Sequence, residues 1–181
     1  MRTHSHNIRT TVQCALFAAL LSVSAWIQIP GAVPFTLQTM AICITAGVLG
    51  TAKGMASLLI YLGLGAIGLP VFSGFAGGIG ALFGATGGFI FGFVLTVVVI
   101  GVGKRLFGRS KIALTLSMVL GVALCYAAGA VWFAAVYATR GEAMSLSAVL
   151  SACVLPFLLP EFAKIAAAVA ITLRLWKIVE Q

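Results

Sequence analysis

The stretch Pro156-Phe157-Leu158-Leu159-Pro160-Glu161-Phe162-Ala163-Lys164 sets an acid and an amine inside an apolar run. Glu161 is one of only three acidic residues among 181. Proline suits the first turn of a helix, because its φ is already helical and its missing N–H would have no partner there. A helix starting at Pro160 places Glu161 and Lys164 one turn apart on the same face. Almost nothing polar follows through Leu175. Two charges in such surroundings are costly, and an ionisable residue in a membrane helix marks a functional site by default.

Working outward, composition names the solvent. Hydrophobic residues make up 62% of the chain and charged residues 8%; mean hydropathy is +1.19. A soluble domain carries about a quarter charged residues, so this chain cannot cover a water-facing surface. It reads as one all-α integral membrane domain over residues 1–181. The net charge of +8 does not point to nucleic acid, because the basic residues sit between apolar runs rather than along a stripe. Cys14, Cys43, Cys125 and Cys153 all lie in apolar segments without Cys-x-x-Cys spacing, so they read as small hydrophobes, not metal ligands. His4 and His6 near the start are too few to hold a metal and read as solvated. No cofactor is expected.

Six spans emerge: residues 11–29, 37–49, 55–67, about 88–103, 112–137 and 160–176. Residues 30–39, with two prolines and a glycine, form the first connection, and Lys53 sits in a tight turn over residues 50–54. Residues 68–88 combine many glycines with Phe72, Phe75 and Phe83. Such a loop either packs on its neighbours or folds closely over a ligand; irregular backbone at membrane depth must be buried in protein or line a cavity. It is no dinucleotide loop, since the next acid is Glu142. The densest basic run, residues 104–111, follows the fourth span. Tyr126, Trp132 and Tyr137 fall in the second half of the fifth span, as an interfacial belt or a pocket wall. Ala15 and Ala19, with Ala18 and Ser22, form small-residue stripes on the first span, either for internal packing or for docking another subunit.

Six spans put both termini on one side, together with Arg2, Arg9, Lys53, Lys104, Arg105, Arg109, Lys111, Arg174 and Lys177, nine of the eleven Lys and Arg. That side is cytoplasmic by the positive-inside rule. The proline, glycine and aromatic loops, and the Glu161–Lys164 end of the last helix, then share the outer face. There is no phosphate loop and no nucleophile with a neighbouring base, so the chain reads as a capture subunit that needs a partner to supply work.

Several of these segments together resemble the BioY family, the biotin-specific S components of energy-coupling factor transporters. They are Val33-Pro34-Phe35-Thr36-Leu37-Gln38-Thr39, residues 61–72 from Tyr61 to Phe72, Gly84-Ala85-Thr86-Gly87-Gly88-Phe89, and the stretch from Pro156 to Lys164. The resemblance covers nearly the whole chain. The family commonly has Asp where Glu161 stands, and Pro where Ala85 stands; neither change removes a chemical group the site needs. The resemblance implies an S-component fold with its ligand site near the outer face. It further implies biotin as ligand, a transmembrane T component docked on Ala15 and Ala19, two ATP-binding-cassette ATPases, and a place in the bacterial cytoplasmic membrane. Glu161 would accept from the ureido N–H groups and Lys164 would donate to ligand oxygen. Gln38 would add a neutral hydrogen bond, and Phe72, Phe75, Tyr126 and Trp132 an apolar wall. On spacing alone, Glu161 and Lys164 equally read as a pair that satisfies only itself. An S component for another vitamin, a membrane scaffold or a small channel are the alternatives, and a homo-oligomer stays open.

Overall fold

The computed structural model describes residues 2–179, and the side chains of residues 8–177; the side chains of Arg2, His4 and His6 lie outside that range. Helix α1 covers Arg2–Trp26, starting earlier than the apolar run because no glycine or proline interrupts residues 2–26. The chain then makes a small antiparallel ribbon, β1 (Gln28–Ile29) with β2 (Phe35–Thr36), pairing Gln28 with Thr36 and Ile29 with Phe35. Pro30 and Pro34 sit between the paired residues, where no ladder N–H is needed.

Helix α2 spans Gln38–Ala66 but is broken at Gly50, whose φ of 76° and ψ of −173° lie outside helical space. The chain reverses there. The Gln38 amide Nε2 donates to the Tyr61 hydroxyl at 2.7 Å, whereas a straight helix would hold the two about 35 Å apart. A Cβ on Gly54 would lie 3.5 Å from the Ala46 Cα. Residues 38–49 and 51–66 are therefore two antiparallel legs, folding back within the turn expected at 50–54.

A 3-10 turn at Ser73–Phe75 and the one-turn helix α3 (Ile79–Leu82) break up the glycine-rich connection. Then come α4 (Gly87–Phe107), α5 (Lys111–Thr139), the short α6 (Leu146–Cys153) and α7 (Leu158–Val179). Ser110 and Ser145 cap α5 and α6, accepting from the N–H of Ala113 and Ala148. Helix α7 begins before Pro160, which still falls in the first turn, where its lack of an N–H costs nothing.

Glycine sets the spacing between α4 and α5. A Cβ on Gly92 would meet the Cys125 Cα at 2.9 Å, and one on Gly121 would meet the Thr96 Cα at 3.2 Å. The backbones touch because there is no side chain between them. Thr96 adds a hydroxyl bond to the Gly121 carbonyl, 2.9 Å. On the other side of the bundle, the Trp176 indole donates to the Gly47 carbonyl at 3.0 Å and joins α7 to the first leg of α2. The main core joins Leu21, Ile42, Leu58, Val97, Met118 and Ala168 from five helices. A second, smaller cluster of Val33, Phe133, Val149 and Cys153 fastens α6 to α5.

The surface is apolar too. Leu16, Leu59, Leu116, Val131 and Phe162 are all exposed. Among the described residues, five helices are long and apolar enough to cross a membrane, the folded-back α2 counted as one. The four cysteines are free and buried. On α1, Ala18 and Ser22 face inward, while Ala15 and Ala19 face outward.

Candidate ligand site

Among the described residues, Glu161 and Lys164 are the buried charged side chains, 5% and 6% exposed. They sit in the first two turns of α7 and pair at 2.6 Å. A buried pair survives only if its remaining hydrogen-bonding capacity is met. An ammonium has three N–H donors. The Lys164 Nζ uses one on Glu161, one on the Thr36 carbonyl at 3.0 Å and one on the Thr39 hydroxyl at 2.6 Å. It also lies 4.3 Å from the Phe35 ring centroid, a favourable cation–π position. Lys164 thus reaches across to the ribbon and to the start of α2, and it is fully occupied.

Glu161 is not. Its Oε2 takes both Lys164 and the Tyr126 hydroxyl, the latter at 3.0 Å. Its Oε1 is buried with no protein partner. Leaving such an acceptor unmet costs about 1–3 kcal/mol, so the site has capacity for one more donor.

Beside the pair is a cavity of about 240 Å³, just below the roughly 300–1,000 Å³ typical of small-molecule sites. Lys164, Gln38, Thr36 and Thr39 supply its polar groups, and Phe35, Tyr61, Phe72, Phe89, Phe93 and Tyr126 supply aromatic walls. Gln38 is held by Tyr61. Phe72 meets Tyr61 edge-on at 5.4 Å and fills the space over Gly65, where any Cβ would run into its ring. Phe157, stacked on Phe35 at 5.8 Å, closes the side next to α7.

Of the residues expected from sequence, Gln38, Lys164, Phe72 and Tyr126 line this cavity. Glu161 stands behind them and lines an adjoining apolar cleft between α5, α6 and α7; Tyr126 borders both spaces. Phe75 and Trp132 do not line the cavity. Gly74 and Phe75 both take positive φ, 70° and 57°, which turns the Phe75 ring outward onto Trp26, with centroids 5.3 Å apart. Trp132 points at the glycine-rich loop. Its indole donates to the Gly84 carbonyl at 2.9 Å, and its ring lies against Phe91 and Phe83. Thr36, Thr39, Phe35 and Tyr61 were not assigned to the site from sequence. The signal was the segment from Val33 to Thr39, where two threonines flank the chosen Gln38.

A helical membrane bundle with a partly enclosed cavity, apolar walls and a charged pair at its edge defines a small-solute capture protein. It holds no metal cluster among the described residues. The BioY family model matches residues 1–181, and the chain belongs to that family. It is 37% identical over 172 residues to the biotin transporter BioY of Thermotoga maritima, covering 94% of this chain and 98% of that one. It is 40% identical over 162 residues to the probable biotin transporter BioY of Pyrococcus horikoshii, covering 89% and 92%. Among solved structures it resembles the S-component for biotin from an ECF-type ABC transporter. The TM-score there is 0.85 at 26% identity, over 96% of this chain and 93% of that one.

Proposed function

We propose that this protein captures biotin at the outer face of the cytoplasmic membrane, as the substrate-binding S component of an energy-coupling factor transporter. It is a carrier subunit, not an enzyme. The observation that carries the reading is the hydrogen-bond count at α7. Glu161 has one buried oxygen to spare, and Lys164 spends two donors on exchangeable partners in the ribbon and α2. The ureido ring of biotin offers N–H donors and a carbonyl acceptor, which complement that pair. Its thiophane ring and aliphatic tail suit the aromatic walls.

In this reading the ureido N–H groups satisfy Glu161, displacing the Tyr126 hydroxyl, and a ligand oxygen takes a donor of Lys164 from Thr36 or Thr39. Gln38 adds a neutral bond, and Phe72 and Tyr126 supply apolar wall. The chain crosses the membrane six times, with the two legs of α2 counted separately. Both termini then lie in the cytoplasm, and the cavity opens outward. Transport requires a T component and two ATPases. Ala15 and Ala19, exposed on α1, form the face on which the T component seats. The single-domain chain reorients on it while ATP is hydrolysed elsewhere.

Calorimetry with biotin on the purified, folded protein tests the assignment, with Glu161→Ala alongside. A charge-assisted hydrogen bond is worth about 1.5–3 kcal/mol, so that variant should bind at least ~10-fold more weakly. Parental affinity in folded Glu161→Ala would remove Glu161 from the site. Replacing Ala15 and Ala19 with leucine should prevent co-purification with the T component and leave biotin binding unchanged. Lost binding with assembly intact would overturn the docking face.

A further inference from the structure

A long apolar groove runs between α5 and α7 on the outside of the bundle, away from the α1 face. It has two stretches. One, of about 430 Å³, is lined by Lys111, Thr115, Ala166, Val169, Ala170 and Leu173, among others. The second, of about 390 Å³, reaches Tyr126 and Glu161. Val119, Phe162 and Ile165 line both, so the groove is continuous.

Its two ends differ in chemistry. In the first stretch Lys111 is the charged group on the lining, and it is exposed. Thr115 turns its hydroxyl back to the Lys111 carbonyl at 2.9 Å, so its methyl is free to serve as apolar wall. Lys177 lies one turn beyond Leu173 on the same face of α7 and is also exposed. Alanines at 166 and 170 leave the floor of the groove low. From Lys111 to Val119 the helical rise gives about 12 Å, close to the roughly 15 Å depth of hydrocarbon in one leaflet.

We propose that the Lys111 stretch of this groove holds one acyl chain of an anionic phospholipid, with the Lys111 and Lys177 ammonium groups on its phosphate. The charge complementarity selects the occupant: an apolar slot one leaflet deep, with two cations at the headgroup level. The assignment to the cytoplasmic leaflet rests on the orientation proposed above; the lipid site itself does not.

The test is native mass spectrometry of the purified full chain with equimolar phosphatidylglycerol and phosphatidylcholine of identical acyl chains. The parent should retain phosphatidylglycerol preferentially. Lys111→Gln with Lys177→Gln should cut that preference roughly fivefold per lysine, from the attraction of a basic group to an anionic surface. Arg9→Gln with Arg105→Gln removes the same charge from exposed sites off the groove and should leave the preference unchanged. Ala170→Phe, which fills the slot from an exposed position, should reduce retention of both lipids. Equal retention of the two lipids by the parent overturns the site. So does an equal loss in the two charge variants, or undiminished retention in Ala170→Phe. Biotin calorimetry on the same samples reports on the vitamin cavity separately, so a failure of either reading can be told from the other.

Discussion

The molecule places a lysine against an aromatic ring at both ends of the bundle, and the two are wired differently. At one end, Lys104 lies 5.7 Å from the Trp176 ring centroid and donates to the Val48 carbonyl at 2.7 Å. That carbonyl belongs to the last turn of the first α2 leg, just before Gly50, where an unpaired carbonyl and the helix dipole both favour a cation. Trp176 is itself fixed to the Gly47 carbonyl. Arg109 approaches the same ring at 5.7 Å. Lys104 and Trp176 are held there by helix backbone and by each other. At the other end, Lys164 also lies over a ring and also donates to a main-chain carbonyl. That carbonyl, Thr36, belongs to a two-residue strand in a connection, and the ring, Phe35, is its neighbour. The same residue type closes a helix end in one place and holds a loop over a cavity in the other. What separates them is the partner's place in the fold: continuous helix at one end, a connection lining the cavity at the other.

That contrast can be broken experimentally. The largest effect should come from Lys164→Ala. It strips Glu161 of its counter-charge, and breaking a buried pair costs about 3–5 kcal/mol. Biotin affinity should fall ~100-fold or more, measured by calorimetry, and the thermal midpoint should drop with it. Next comes the wall. Phe72→Ala removes a side chain only 2% exposed that lines the cavity. Large-to-small changes of that kind cost about 3–5 kcal/mol, shared between stability and binding. Phe75→Ala, removing a ring 63% exposed on Trp26, should change affinity less than ~3-fold, since ~0.6 kcal/mol or less is at stake for a surface site. Equal losses in these two variants would mean that Phe75 turns inward when ligand binds. The smallest effect on binding should come from Lys104→Ala. It should cost about 0.5–2 kcal/mol of stability as a lost helix-end contact and leave biotin affinity at the parental value. Weakened binding in a folded Lys104 variant would make the two lysines parts of one device.

Much of this was readable in the sequence, and for definite reasons. Long apolar runs become helices whatever they pack against, because a backbone without water must bond to itself. The Glu161–Lys164 pair was readable because its spacing is local and its contrast with its surroundings is extreme. The partners of Lys164 were less so. Thr36 and Thr39 lie more than a hundred residues away, and no periodicity links them to α7. The ribbon of β1 and β2 escaped notice because each strand has only two residues, too few for an alternation to appear. Phe72 and Phe75 looked alike in a glycine-rich loop. The positive φ at Gly74 and at Phe75 sends one ring inward and the other outward, and aromatic content does not encode that. Trp132 was placed on the right helix but on the wrong errand. It fills the space left by Gly88, where a Cβ would collide with it, and so it fixes the loop rather than lining the cavity.

The one-turn spacing of Glu161 and Lys164 also bears on how the chain reaches the bilayer. Each charge alone would burden a segment leaving the translocon, by less than the ~2.5–3.5 kcal/mol of a charge at mid-helix because both lie near the end of α7. One turn apart, they can neutralise each other before Thr36, Thr39 or Tyr126 has docked. The outer half of the last helix can therefore partition into lipid nearly uncharged during synthesis, with Arg174 and Lys177 left to the opposite end, and exchange that temporary self-sufficiency for its distant partners afterwards.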